Sequence, residues 1–486
     1  MQMTYKNKIA KYLPLVLILQ IPLILGFILP LFFYDTFYYT EIEIENNFIL
    51  MAKKSYLIML IILNLICLFL FYFISLKKYS QKKNLISSSS VSSLSAFSAI
   101  SSLLSKLFVF EIYYFNLLFY IGQNVVLILF LLQITFYYQK KELLVIFLSI
   151  IFCNIISLYT GDSKFFLITS LTFLIVGYYK YNLKKFLLLI LIFGILAIII
   201  LGSKRIYRDY VHLGGMDKLN YKYNEKNVTY PDKFDYRNTK DFFLKKKLEF
   251  AVYSKSFLYS NICGKGELYR NNRNIEKKIR NLVFEDGKYK QGKIMLKEIK
   301  LSDNEKKLII SKTQNHCYFF FSFLHRIDFL SPFAQTVKEV NTFNYLRGAS
   351  YKNIIYTFIP RFIYKDKPID NSDELYMRLM TKLKGPDDRN RTIISVSIVT
   401  EAWINFLQMG IFFIGIILGL LTTIISIFFF SNNFFLKVLA STFIIHILNL
   451  NLSLKQIIGG SYQTFIIFFL IYYLNILFIK YFKNYR

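Results

Sequence analysis

The sequence predicts an all-α polytopic membrane protein with about ten transmembrane helices and one large external loop. Apolar runs of about 20 residues, the length that crosses a bilayer as a helix, recur along the chain. Hydrophobic residues make up 55% of its 486 positions, and the mean hydropathy is +0.40. Charged residues make up 19%, below the roughly 25% typical of soluble domains. This composition argues against a disordered chain and against an ordinary soluble enzyme.

Most of the predicted spans are clear apolar runs, which lie in order along the chain. They fall near residues 12–33, 56–76, 107–138, 143–160, 165–179, 186–202, 409–430, 434–450 and 462–480. The first run is too long for the apolar core of a typical cleavable signal peptide, and no small-residue cleavage site follows it. We therefore expect the first run to be a membrane helix.

The serine-rich run 85–105 is only weakly apolar. By itself it fits either a polar linker or a helix that faces other helices through small residues. The lysine clusters decide between the two, because basic residues in short loops favour the cytoplasmic side. If 85–105 crosses the membrane and 107–138 crosses once, the clusters near residues 6–11, 77–83, 140–141 and 180–185 all fall inside. If 85–105 does not cross, the clusters at 140–141 and 180–185 move outside. The sequence therefore predicts ten spans with both termini in the cytoplasm.

This topology divides the chain into three regions. Residues 1–202 form an N-terminal membrane region of about seven spans, residues 203–408 a large periplasmic loop, and residues 409–486 a C-terminal membrane region of about three spans. A loop of this length without function is unusual. Near its middle, the D-G pair in the string 284–289 (FEDGKY) predicts a β-hairpin.

The four cysteines fall into two groups. Cys67 and Cys153 lie within predicted spans, where we expect small core residues. Cys263 and Cys317 lie in the external loop, where an oxidising compartment would allow them to form a disulfide. Their spacing alone does not decide whether they are bonded.

The net charge of +30 does not indicate a nucleic-acid partner in this chain. Many of the lysines lie in short loops between apolar runs, where they are explained by membrane topology. The sequence has no phosphate-binding loop of the form G-x-x-x-x-G-K-[ST] and no cluster with metal-ligand spacing. We therefore expect neither a nucleotide-driven pump nor a metal or other cofactor.

Arginine is concentrated in the C-terminal half of the external loop. Six of the 13 arginines fall within residues 326–391, although lysine is by far the commoner basic residue. A planar guanidinium binds carboxylate or phosphate through two N–H groups. The concentration indicates either an anion-binding site or a solvated basic loop beside anionic lipid headgroups.

Several short strings in this region carry chemistry. Arg326 and Asp328 stand two apart, the string 348–351 (GASY) precedes an apolar stretch, and that stretch ends in 359–361 (IPR). Because proline disfavours helix at the preceding residue, residue 359 should be extended. Arg361 then begins a turn at the boundary between apolar and polar chain.

The segment before the eighth span contains a second group of candidates. Glu401 and Asn405 are four residues apart, which places them on one face of a helix. Trp403, the only tryptophan, lies where an aromatic anchor at the membrane interface is expected.

The order of these strings resembles the O-antigen polymerases, the Wzy-type polytopic enzymes that polymerise oligosaccharide repeat units. The resemblance is carried by R-x-D at 326–328, G-x-S-Y, I-P-R, K-P at 367–368 and the Glu401 to Phe406 string. The general layout of spans and one large periplasmic loop is similar as well. The chain departs from the family at Lys164, where family members often carry arginine, and around residues 265–312.

The resemblance implies a metal-independent membrane glycosyltransferase at the periplasmic face of the bacterial inner membrane. Its substrates would be polyprenyl-pyrophosphate-linked oligosaccharides, which it would join into O-antigen or a related surface polysaccharide of lipopolysaccharide biosynthesis. Membrane lipids and a chain-length regulator would be its other partners. The lipid, undecaprenyl pyrophosphate in bacteria, would be the leaving group, so no nucleotide would be needed.

The resemblance also suggests roles for individual residues. Arg361 and Arg326 would hold the pyrophosphate, and the general base would be Asp328, Glu401 or His325. Asp328 fits equally well as an ion-pair partner that orients Arg326. Further contacts to the substrate are expected from Arg347, Tyr351, Lys365, Lys367, Arg205, Lys164, Trp403 and Asn405. Tyr351 and Trp403 would either stack on sugar rings or anchor the chain at the membrane interface.

Two other functions remain open at this point. An O-antigen ligase would use the same lipid-linked donor with a different acceptor, such as a lipid A core. A lipid-linked oligosaccharide flippase or other transporter usually has two similar halves and charged groups within its spans, neither of which the sequence shows. A ladder of product lengths would distinguish the polymerase from both.

Overall fold

The structure is a computed structural model of the 486-residue chain. It describes residues 5–33, 38–39, 42–43, 46–73, 88–107, 113–136, 138–159, 164–180, 183–210, 284–285, 288–289, 329–340, 345–352, 354–359, 396–449 and 452–484. Within these ranges the chain forms two compact units, described separately below. Unit 1 comprises Met1–Ile24, Ala52–Gly194 and Thr336–Arg486, and unit 2 comprises Leu25–Met51 and Ile195–Gln335.

The described part of the protein is helical, as the sequence predicts. Its α-helices are α1 (Tyr5–Phe33), α2 (Asn46–Phe73), α3 (Ser88–Leu107), α4 (Tyr113–Leu132), α5 (Lys140–Tyr159), α6 (Lys164–Lys180), α7 (Leu183–Tyr210), α8 (Leu330–Glu339), α9 (Ile398–Phe429), α10 (Phe434–Ile447) and α11 (Leu454–Asn484). A 3-10 helix covers Ile355–Phe358. The weakly apolar run 85–105 is therefore a helix, α3, and not an irregular linker.

Three of the described helices have the length and apolar composition to cross a membrane. They are Asn47–Phe71 in α2, Ile398–Phe429 in α9 and Leu454–Leu477 in α11. Shorter apolar segments lie in α1, α3, α4, α6, α7 and α10. Many large apolar side chains of these helices face outward, which is the arrangement that a lipid environment stabilises. The protein is a helical membrane protein.

Aromatic contacts bring several helix ends of unit 1 together. The ring of Tyr12, near the start of α1, stacks on Phe71 at the end of α2 with 5.6 Å between centroids. The ring centroid of Phe430, just after α9, lies 5.5 Å from that of Tyr12 and 5.3 Å from that of Tyr179 at the end of α6. We call this end of unit 1 the Tyr12 end.

Other helices of unit 1 also reach the Tyr12 end, in alternating directions. The start of α10 contacts the α4–α5 connection through Phe434 and Phe136, whose centroids are 6.1 Å apart. The start of α3 lies beside the later part of α11, where Asn475 Nδ2 donates to the Ser90 carbonyl at 3.2 Å. At the opposite end, the starts of α9 and α11 meet around Glu401. We call this second end the Glu401 end.

Helices α2 and α9 approach closely at two glycines spaced four residues apart. A Cβ at Gly415 would lie 3.0 Å from the carbonyl oxygen of Met59, and one at Gly419 would lie 2.8 Å from Cβ of Ile66. In lipid, helices associate through close van der Waals packing, which small residues permit. Gly415 and Gly419 therefore bring the backbones of α2 and α9 into contact.

The two described cysteines occupy the core positions that the sequence predicts. Cys67 and Cys153 are free thiols, and both are buried. The Sγ of Cys67 lies 3.4 Å from the carbonyl oxygen of Gly419, within the contact between α2 and α9. Cys263 and Cys317 lie outside the described residues.

Unit 2 contains a hydrogen bond that a proline makes necessary. Pro30 of α1 has no N–H, so the carbonyl of Gly26 lacks its usual partner four residues later. The N–H of Phe329 donates to this carbonyl at 2.9 Å.

Unit 2 also contains the predicted β-hairpin. Strand β3 (Phe284–Glu285) pairs antiparallel with β4 (Lys288–Tyr289), with Phe284 opposite Tyr289. The hairpin prediction is therefore confirmed. A similar antiparallel pair of two-residue strands precedes it in the chain, β1 (Tyr38–Tyr39) and β2 (Ile42–Glu43).

Candidate functional site

Helix α9 is sharply bent near its start. Leu407 has φ 52° and ψ −134°, which is a non-helical conformation that side chains rarely adopt. The bend separates a short piece, 398–406, from the longer piece, 408–429. A Cβ at Gly410 would overlap the carbonyl oxygen of Ala402, so the chain after the bend lies directly against the short piece. The bend places the polar residues of the short piece at the Glu401 end.

A buried polar network surrounds Glu401 in the short piece. Ser350 Oγ donates to Glu401 Oε1 at 3.0 Å, and Asn405 Nδ2 donates to Ser350 Oγ at 2.7 Å. Asn405 Nδ2 also donates to the Glu401 carbonyl at 2.8 Å. Glu401 is 2% exposed and Asn405 is fully buried. The prediction that Glu401 and Asn405 share a helix face is confirmed, because both contact the same serine.

Glu401 also caps the first turn of α11. The Leu454 N–H donates to Glu401 Oε2 at 2.9 Å, which satisfies a donor that has no partner within its own helix. A carboxylate is favoured there because the helix N-terminus carries partial positive charge. Ser453 and Gln456 complete the start of α11 with a reciprocal capping box, at 3.0 and 3.3 Å.

Residues 345–352, which we call the Arg347 turn, lie against the short piece of α9. Leu346 N–H donates to the Ile404 carbonyl at 2.8 Å, and Ala349 N–H donates to the Leu346 carbonyl at 2.9 Å. Arg347 and Gly348 both have positive φ, at 49° and 83°. These bonds hold a tight turn whose arginine is exposed.

Two aromatic residues of the Arg347 turn fix its surroundings. The Arg347 guanidinium carbon lies 5.4 Å from the centroid of the Tyr345 ring, a cation–π contact. The ring of Tyr351 stacks on Phe406, with 6.0 Å between centroids. Burial, and secondarily the Glu401 carboxylate, raise the pKa of Tyr351. Its phenol is therefore protonated at neutral pH and is a donor, not a base.

The chain that follows the turn packs on α11. Thr357 Cβ would lie 3.1 Å from a Cβ at Gly459, and the rings of Phe358 and Tyr462 are 5.1 Å apart. Ile359 has φ −98° and ψ 116°. The prediction that this residue before Pro360 is extended is therefore confirmed.

Trp403 is 2% exposed and lies in the short piece of α9. Its ring is therefore packed inside the protein. This burial fits neither an anchor at the membrane interface nor a surface for stacking on sugar.

The predicted site residues fall into three sets. The structure brings together Arg347, Tyr351, Glu401, Trp403 and Asn405 around the Glu401 end. Lys164 is the first residue of α6, and Arg205 lies in the last turns of α7. The other predicted residues lie outside the described residues: His325, Arg326, Asp328, Arg361, Lys365 and Lys367.

The structure adds residues to this site that sequence reasoning did not assign a role. Ser350 was part of the quoted GASY string, yet only the fold shows that it contacts Glu401. The Leu454 N–H is a backbone group and has no signal in the sequence. Among the described residues, no group of three or more His, Cys, Asp or Glu could hold a metal ion.

Gly348→Ala is expected to destabilise the Arg347 turn by about 1–3 kcal/mol. A Cβ at Gly348 would lie 2.9 Å from Cζ of Phe406, and the φ of 83° is unfavourable for alanine. Thermal unfolding of the purified protein in detergent measures the loss. Adding Phe406→Leu should recover only the steric part, and full recovery would show that the backbone conformation costs little.

Comparison with known proteins found no counterpart for this arrangement. No family model matches the chain. No curated protein matches it, and no solved structure matches it.

Proposed function

We propose that the protein polymerises polyprenyl-diphosphate-linked oligosaccharide repeat units by glycosyl transfer outside the cytoplasm. The observation that carries the proposal is an exposed cation, Arg347, on a turn that buried hydrogen bonds fix at the end of an apolar helix bundle. A lipid diphosphate has its alkyl chain among apolar helices and its charge at their ends. A fixed guanidinium at that depth suits the diphosphate group.

The chemistry requires one bond to form and one to break. The acceptor sugar hydroxyl attacks the anomeric carbon of the donor chain, and the bond from that carbon to the diphosphate oxygen breaks. The lipid diphosphate leaves with the electron pair, and the acceptor proton passes to a general base. Arg347 would stabilise the departing charge, with Arg326, Arg361, Lys365 and Lys367 as the further cations that the sequence predicts.

The surroundings of Glu401 favour another residue as the general base. A base must reach the acceptor hydroxyl, whereas Glu401 is 2% exposed and accepts hydrogen bonds at both oxygens. Asp328 and His325 are the other two candidates from the sequence. We therefore assign proton transfer to Asp328 or His325.

The proposed topology has ten spans, with the Tyr12 end in the cytoplasm. It is supported by the alternating directions in which the apolar helices reach that end. Exposed lysines near the ends of α5, α6 and α7 also lie there: Lys140, Lys141, Lys180 and Lys184. The Glu401 end and the large loop would then face the periplasm of a bacterial inner membrane.

Reconstitution tests the proposed reaction directly. The purified protein in liposomes receives lipid-diphosphate-linked repeat units, with EDTA and without nucleotide, and product length is read on a gel. A ladder of oligomers is the expected result. Transfer of glycan to an added lipid A core without a ladder would indicate a ligase, and no product from the native donor would reject glycosyl transfer.

Arg347→Ala should reduce the rate of polymer formation at least about tenfold, because one charge-assisted contact to the diphosphate is lost. Lys352→Ala is the matched control, since Lys352 is an exposed cation in the same turn. Protein level and unfolding temperature should stay unchanged in both variants. Equal polymer from both variants would remove Arg347 from the site.

A further inference from the structure

Hydrogen bonds connect the Arg347 turn to the helices beneath it. Its backbone is tied to the short piece of α9 by the Leu346 N–H. The buried hydroxyl of Ser350 donates to Glu401 and accepts from Asn405. The Ser350 N–H also faces Asn405 Oδ1 at 3.4 Å. Ser350 is therefore a point at which polar side chains of α9 hold the turn in place.

Glu401 extends this connection to a third element. One of its oxygens accepts from Ser350 and the other from the first N–H of α11. The carboxylate therefore holds the Arg347 turn at a fixed place relative to α11. The same stretch of α11 packs on Thr357 through Gly459.

A fixed turn matters for an exposed arginine that binds an anion. Arginine loses considerable rotamer freedom on binding, and a mobile backbone would add to that cost. The Tyr345 ring under the guanidinium already limits its directions. Holding the backbone of the turn in place lowers the remaining cost of binding.

We propose that Glu401 is a positioning residue, which acts through Ser350 to hold Arg347 where it binds the diphosphate of a polyprenyl-linked substrate. The identity of the ligand rests on the proposed function. The placement of Arg347 by Ser350 and Glu401 rests on these hydrogen bonds and on burial alone.

The test is a double-mutant cycle on binding. The probe is undecaprenyl diphosphate, whose Kd is measured for the full chain in detergent with Ser350→Ala, Arg347→Ala and the double variant. Each single variant should weaken binding about tenfold. Because Ser350 acts through Arg347, the double variant should bind no more weakly than Arg347→Ala. Effects that multiply would overturn the proposal.

The control for Ser350→Ala is Ser441→Ala, which should leave the Kd for undecaprenyl diphosphate unchanged. Ser441 is fully buried in α10 and donates to the Lys437 carbonyl at 2.8 Å. This variant removes a buried serine hydroxyl that does not contact Glu401.

Phosphatidylglycerol serves as a second probe, because a lipid headgroup also carries a phosphate. An equal effect of Arg347→Ala on both probes would assign the arginine to ordinary headgroups and overturn the proposal.

Glu401→Gln separates positioning from proton transfer. Its amide oxygen can accept from Leu454 N–H, and its amide nitrogen can donate to Ser350 Oγ. A positioning role predicts a Kd within about threefold of the wild type and continued turnover, whereas a base would lose turnover without a change in Kd. The control is Glu142→Gln, since Glu142 is also buried and accepts from a backbone N–H, that of Gln139, at 2.8 Å.

A spin label on Lys352→Cys reports the turn without reference to activity. Cys263 and Cys317 are replaced by serine, and the buried Cys67 and Cys153 remain. Ser350→Ala should make the label more mobile, and unchanged mobility would overturn the proposal.

The results also distinguish this proposal from the proposed function. If binding and mobility behave as expected and no polymer forms, the proposed function fails and the positioning role stands. If polymer forms without coupling in the cycle, only the positioning fails.

Discussion

Gly410→Ala is expected to destabilise the protein by more than about 3 kcal/mol, above the usual cost of an overpacked site. The added Cβ would overlap the carbonyl oxygen of Ala402 and lie 2.7 Å from its carbon. Both are backbone atoms, so no change of rotamer relieves the clash. The bend at Leu407 would have to open, which would move Glu401 away from Ser350 and from α11. Polymer formation should fall with stability.

Unfolding in detergent, by heat or by added denaturing surfactant, measures this loss. The control is Gly194→Ala in α7, because a Cβ there meets nothing within 4 Å. Alanine is also the better helix former, so the control should be at least as stable as the wild type. If both variants unfold alike, the close approach of Gly410 to Ala402 does not exist in the protein.

Features that depend on neighbouring residues could be predicted from the sequence. The extended conformation of Ile359 follows from the ring of Pro360, and the hairpin 284–289 follows from its D-G pair. Helix α3 is predicted from lysine clusters in several loops along the chain, although its serines alone leave a linker open. For the extended residue and the hairpin the determining residues lie within or next to the element, and for α3 the pattern of charge along the chain decided.

Features that depend on distant residues could not be predicted. The bend at Leu407 lies in an apolar stretch with no proline, and glycine three residues later is ordinary in membrane helices. Contacts of Glu401 with Ser350 and with Leu454 join residues more than 50 positions apart. The sequence showed that Glu401 and Asn405 share a face, but not what that face meets.

Burial also changes how two sequence predictions are interpreted. A lone tryptophan before a span suggested the membrane interface, yet Trp403 is packed inside because the short piece of α9 turns into the bundle. The same direction of the short piece buries Glu401. This carboxylate was a candidate base from the sequence, and its burial fits a positioning role. The direction of the short piece therefore determines the proposed division of roles.

Gly419→Leu is the second substitution with a large expected effect, because it acts on the contact between α2 and α9. A Cβ at Gly419 would already lie 2.8 Å from Cβ of Ile66 and 2.9 Å from the Leu63 carbonyl oxygen. A leucine side chain adds bulk beyond that position, so the helices must separate. We expect the free energy of unfolding to fall by about 3 kcal/mol. The variant overpacks the contact between the helices and loses van der Waals packing, and in lipid no hydrophobic effect replaces that packing.

The thiol of Cys67 reports this separation, because it lies 3.4 Å from the Gly419 carbonyl oxygen. With Cys263 and Cys317 replaced by serine, alkylation by a small maleimide should become much faster at Cys67 and remain slow at Cys153. Gly194→Leu is the matched control, since it adds the same side chain in open space. Slow alkylation of Cys67 in Gly419→Leu would mean that α2 and α9 do not pack through this glycine. Faster alkylation of both thiols would mean general unfolding, which would contradict the expected local separation of α2 and α9.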